Sequence, residues 1–157
     1  MFLPILFEKY TFTSYNKFKT MKVAVWDTYV KTENNIVLHF DIIVPENVKD
    51  EKTIFSYGKQ YLLEIKQDGK IHSNNCQFCH IEEPSDEVVK SIEEKGFYIY
   101  RMEDIPAKLP DNPTRKDIVL YIKGHSDKYR YVHFKKYSDE EIKKILQEVI
   151  EHNLLQS

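Results

Sequence analysis

Residues 22–30, KVAVWDTYV, are dense in β-branched and aromatic side chains, and residues 36–44, IVLHFDIIV, repeat that composition after a polar connection at 31–35. Two such runs flanking a short polar segment predict a β-hairpin. Alternation along the second run sets Ile36, Leu38, Phe40, Ile42 and Val44 on one face, the expected core face, and Val37, His39, Asp41 and Ile43 on the other. The second face is only half apolar. His39 and Asp41 therefore project together into a polar region, where Asp27 of the first strand can join them.

Pro45 closes that strand, and Ile54, Phe55, Tyr61, Leu62 and Ile65 then recur at helical spacing, predicting a helix over about 50–66. Residues 70–80 read as extended or irregular. Pro84 and Ser85 open a second helix whose Val88, Val89 and Ile92 face inward; Gly96 ends it, and residues 97–100, FYIY, make another strand. Pro106, Pro110 and Pro113 mark 105–116 as a linker. Beyond it, 118–123 and 129–135 read as two strands around a turn at 124–127. Ser138 with Glu141 forms a capping box for a last helix with an apolar face of Ile142, Ile145, Leu146, Val149 and Ile150.

The expected fold class is α+β, a small mixed sheet with helices packed on one face, plus a C-terminal ββα extension. Four segments follow: an N-terminal extension (1–20), a core domain (21–104), a Pro-rich linker (105–116) and the extension (117–157). The last is too small to stand alone, so its helix should dock on the core or on a second subunit, the latter making a homo-oligomer. Residues 1–20 carry scattered aromatics, Phe2 to Phe18, without a period. They read either as an arm packed on the domain or as an overlong gene start preceding a true first residue at Met21.

A length of 157 residues suits one core, and a net charge of -2 gives no global reason to seek nucleic acid or an acidic membrane. The apolar opening at 1–7 lacks a basic flank and is cut by Glu8 and Lys9, unlike a signal peptide. No run approaches the roughly 20 apolar residues of a membrane span. The two cysteines, both within 76–79, cannot cross-link distant segments, which argues for a reducing, cytoplasmic location.

MKVAVWDTYV from Met21, HFDIIVP from His39, CQFCHIEE from Cys76 and EKGFYIY from Glu94 together resemble a bacterial family catalogued as domain of unknown function 2024. The resemblance spans about 21–104. It implies a small α+β protein and carries no assigned activity or cofactor.

Chemistry concentrates in Cys76-Gln-Phe-Cys79-His80. Two thiolates at this spacing can chelate a tetrahedral ion, zinc by preference, with His39, His72 or His80 completing the site. The same pair fits a thiol–disulfide motif, although no helix starts at Cys76 as thioredoxin-like sites require. Covalent haem would need export, and a deaminase layout would need a Glu where Asp41 stands. The plain alternative is that both cysteines are structural. A second constellation lies at 115–136, with seven basic residues against two acidic ones. Arg130, Tyr131 and Lys135 there could contact RNA or a protein partner, making the chain a noncatalytic interaction module. No phosphate-cradling glycine loop or nucleophile elbow is present, so no catalytic signature supports an enzyme.

Overall fold

The computed structural model describes residues 20–157, so the aromatic extension falls outside the described residues apart from Thr20. The elements run β1 (Val23–Lys31), β2 (Val37–Pro45), α1 (Glu51–Glu64), β3 (Cys76–Glu82), α2 (Asp86–Lys95), β4 (Tyr98–Arg101), α3 (Arg115–His125), a short 3-10 turn (Phe134–Lys136) and α4 (Asp139–Leu155). The protein is α+β. Its four strands form one sheet in the order β3-β1-β2-β4, and every pairing is antiparallel, where a mixed sheet was expected. The β1–β2 hairpin forms the centre. Crossover through α1 lays β3 along the outer side of β1, and return through α2 lays β4 along β2.

Helices cover both faces of this sheet rather than one. On the first face Ala24, Trp26, Phe40, Ile42 and Val44 pack against Ile54 and Leu62 of α1 and against Phe97. The second face divides in two. Val23, Val25 and Ile43 meet Val88 and Ile92 of α2, while Tyr29 and Val37 meet Ile105, with Leu120 and Tyr131 packed alongside. Both parities of β1 and β2 are thus buried, except at the polar strip. Each large apolar side chain so enclosed contributes about 1.5–3 kcal/mol. Ile36, expected in the core, precedes β2 and is 37% exposed.

Local signals set the helix ends. Asp50 accepts the Thr53 N–H at 3.1 Å to start α1, and Ser85 accepts the Val88 N–H at 3.3 Å to start α2. Gly96 stops α2 at φ 91°, a left-handed conformation that costs glycine nothing.

The C-terminal unit corrects the ββα expectation: residues 115–125 form a helix, and 129–135 have no strand. Thr114 and Asp117 close a reciprocal capping box at the start of α3, just after Pro113. The run Ile118-Val-Leu-Tyr-Ile122 looks strand-like because α3 is buried on two sides. Ile118 and Ile122 pack with Phe134, Ile142 and Val149, while Leu120 faces the sheet. Within the supposed linker, Ile105 is 1% exposed and exchanges both backbone hydrogen bonds with Val37, prolonging the pairing along β2. Tyr131 Oη donates to the Asp27 carbonyl at 2.9 Å, and Arg130 Nη1 to the Asn74 carbonyl at 3.1 Å. The helix pair is thereby seated on the sheet of its own chain. Among the described residues no helix is long and apolar enough to cross a membrane.

Candidate functional site

Strand alternation and antiparallel register place the polar residues of the second face side by side. Asp27 of β1 lies directly opposite Asp41 of β2, and Tyr29 opposite His39. His39 Nε2 donates to Asp27 Oδ1 at 2.7 Å, with the two side chains 10% and 19% exposed. The imidazole stacks on the Tyr29 ring at a centroid distance of 4.2 Å, which fixes its plane. Burial, with the Asp27 charge adding to it, holds the Tyr29 phenol well above its ordinary pKa, so it stays protonated.

Asp41 differs from its neighbours. It is half-buried and makes no hydrogen bond or salt bridge among the described residues. Burial, reinforced by the facing Asp27 carboxylate, pushes its pKa up to about 6, against an opposing pull from His39.

The cysteine segment, read as extended or irregular, is the strand β3. Cys76 pairs with Thr28 and Phe78 with Trp26, on the α1 face; Gln77 pairs with Asp27 on the other. Positions three apart along a strand point to opposite faces, so the two thiols are not brought together. Cys76 is 1% exposed within the first core, 3.2 Å from the Thr28 hydroxyl, and burial pushes its pKa up to about 12. Cys79 is exposed and free, at a register shift that pairs Val25 with His80 and Trp26 with Phe78. Such a bulge re-aims side chains, and here Cys79 and His80 both fall beside the polar strip. Burial and the charges of Asp27 and Asp41 raise the Cys79 pKa. His80 Nε2 donates to Glu82 Oε2 at 2.8 Å, leaving Nδ1 to accept the Cys79 S–H at 3.2 Å. His72 sits in the turn before β3, its Nδ1 accepting the Asn74 N–H. Among the described residues no three His, Cys, Asp or Glu side chains form a group able to hold a metal ion.

Helix α3 roofs the strip. Asp27, His39, Asp41 and Cys79 from the sheet, with Lys116 and Lys123 from α3, line an open cleft of about 340 Å³. The basic segment is otherwise dispersed. Arg130 is 7% exposed and spends its guanidinium on the Lys123, Gly124 and Asn74 carbonyls and on Asp127, while Tyr131 is held by Asp27. Neither is turned outward with Lys135, as two paired strands would have turned them. The contribution of Lys116 and Lys123 was hidden in the sequence. Its available signal was the pairing of Thr114 with Asp117 after Pro113, which starts a helix and sets Lys116, Val119 and Lys123 along one side.

A four-stranded antiparallel sheet flanked by helices, with a carboxylate–imidazole strip on one face, defines a small α+β domain. The chain belongs to the family described as a domain of unknown function (DUF2024), which matches residues 21–102. It is similar to protein NE1680 from Nitrosomonas europaea, solved by NMR, at 39% identity over 53% of this chain and 96% of that one, with a TM-score of 0.48. No curated protein matches the chain.

Proposed function

We propose that the protein binds a small ligand in the cleft between the polar strip and α3, and that Asp41 is the group the ligand satisfies. The observation that carries this reading is the state of Asp41: half-buried, facing a second carboxylate, and without an internal hydrogen-bond donor. Polar networks kept only for structure satisfy their members, as the Asp27–His39 pair does. A carboxylate left unpaired in a cleft is a cost that a donor-bearing ligand removes. The reading is one of binding, since the arrangement offers an acceptor and a fixed imidazole but no activated nucleophile aimed into the cleft.

Carboxyl-resolved NMR from pH 4 to 8, with and without millimolar ethanolamine as a donor-bearing probe, tests it. Asp41 should titrate near 6 alone and lower with the probe, because a donor favours the charged form. Titration near 4 without response to the probe would sink the reading.

Zinc is the second reading of the same cleft: Cys79 and His39 both line it, and an ion would have to draw them and a carboxylate together, since no three such side chains converge among the described residues. About one zinc per chain, retained in Cys76→Ser and lost in Cys79→Ser, would replace the ligand reading with the metal one.

A further inference from the structure

Resting on that reading, we propose that the ligand carries a phosphate monoester at the end away from Asp41, held by Lys116 and Lys123, and an amino group at Asp41. Lys116, Val119 and Lys123 line the cleft over the polar strip on one side and on the other line a second cleft of about 400 Å³, into which His133 and Lys135 also face. The two clefts share one wall. The second has no acidic lining, and Lys116, Lys123 and Lys135 make no salt bridge among the described residues.

Arg115, the remaining base of that lining, is bound to Asp139 and donates to the Phe134 and Tyr137 carbonyls. It serves as a brace that fixes the segment carrying His133 and Lys135 against α3. Lys116 lies in the first turn of α3, where the helix dipole adds to its attraction for an anion. A cleft lined by one sign of charge concentrates the opposite charge, and lysine ammonium groups suit phosphate oxygens. Across the shared wall the charge reverses at Asp41 and Asp27. The cleft over the polar strip is itself bipolar and small, with Asp27 and Asp41 on the sheet and Lys116 and Lys123 on α3, and it fits a phosphorylated amine better than a uniform polyanion. An RNA strand would also need the outward stacking residues that Arg130 and Tyr131 do not supply, being committed internally.

The test uses the whole chain and calorimetric titration with O-phosphoethanolamine, inorganic phosphate and ethanolamine as defined probes. O-Phosphoethanolamine should bind at least tenfold more tightly than either single-ended probe. Lys116→Gln with Lys123→Gln should remove at least tenfold of that affinity while ethanolamine still lowers the Asp41 pKa, which also shows that the variant is folded. Equal affinity in the lysine variant overturns the proposal. If ethanolamine moves Asp41 but the phosphate gives no gain, the inference falls and the cleft reading stands; if ethanolamine does not move Asp41, both fall. Glycerophosphoethanolamine, the diester of lipid headgroups, should bind more weakly than the monoester, and equal or tighter binding would overturn the monoester assignment in favour of a headgroup. Tighter, salt-sensitive binding of a ten-nucleotide uridine RNA would overturn it in favour of a nucleic acid.

Discussion

Asp41→Asn should stabilise the protein at pH 8 and leave it unchanged at pH 4. The carboxyl pKa moves from its ordinary 3.8 to about 6 on folding, by burial and by the Asp27 charge. A carboxyl raised on folding binds its proton more tightly in the native state. Its destabilising effect is therefore absent below about pH 4, grows as pH rises from 4 to 6, and is complete above that range. Each tenfold change in proton affinity is worth about 1.4 kcal/mol, giving a ceiling near 3 kcal/mol. Because the side chain keeps some contact with water, a discounted gain of about 1–1.5 kcal/mol is the expected value at pH 8. Asparagine is isosteric and uncharged, and no internal donor is lost. Urea unfolding of both proteins at pH 4, 5, 6, 7 and 8 should show a difference that opens between 4 and 6 and then stays flat. A variant less stable than the native protein at pH 8, or a difference independent of pH, would refute the claim that Asp41 is an unsatisfied carboxylate. The same substitution should abolish ethanolamine binding in calorimetric titration, linking gained stability to lost binding as at other strained sites.

Three further outcomes follow from the packing. A chromogenic disulfide reagent should modify Cys79 readily and Cys76 only on unfolding, given the exposure of the first and the burial and high pKa of the second; two equally fast thiols would contradict the strand placement. Arg130→Gln should cost about 3 kcal/mol in urea unfolding, since three carbonyls lose a buried guanidinium; a cost below 1 kcal/mol would mean the residue is not the clamp described. Thr114→Ala should cost about 1 kcal/mol through loss of the α3 cap, with little change in Asp41 titration, whereas an unchanged midpoint would deny the capping box.

The site was half legible in the chain, and the division has a physical basis. Strand alternation needs only local sequence, so the co-projection of His39 and Asp41, with Asp27 beside them, could be read directly from HFD and WDT. The hairpin, the two capped helices of the core and the capping box at Ser138 were legible for the same reason. By contrast, Cys-x-x-Cys suggests a shared ion because that spacing converges in a turn, yet 70–80 also reads as extended, and in the strand that forms there the same spacing parts the thiols. Helix α3 was concealed by its own burial. A helix packed against both α4 and the sheet shows an unbroken apolar run, and such a run of five residues does not distinguish helix from strand.

That single misreading accounts for most of what was not foreseen, since α3 supplies the roof of the cleft. With 118–123 as a strand, Lys116 and Lys123 would have no defined relation to Asp41, and the second sheet face would remain open to water. Once α3 is seated by Ile105, Leu120 and Tyr131, the polar strip ceases to be a solvated edge. Water is partly excluded, Asp41 loses hydration without gaining a donor, and its proton affinity rises. The unusual electrostatics of the core family domain thus arise where the region following it, from Ile105 onward, is laid across the sheet. Loosening α3, for example by Ile105→Ala, should return the Asp41 pKa toward 4 in carboxyl-resolved NMR before the sheet itself unfolds. A pKa that stays near 6 with α3 displaced would place the cause within the strands alone.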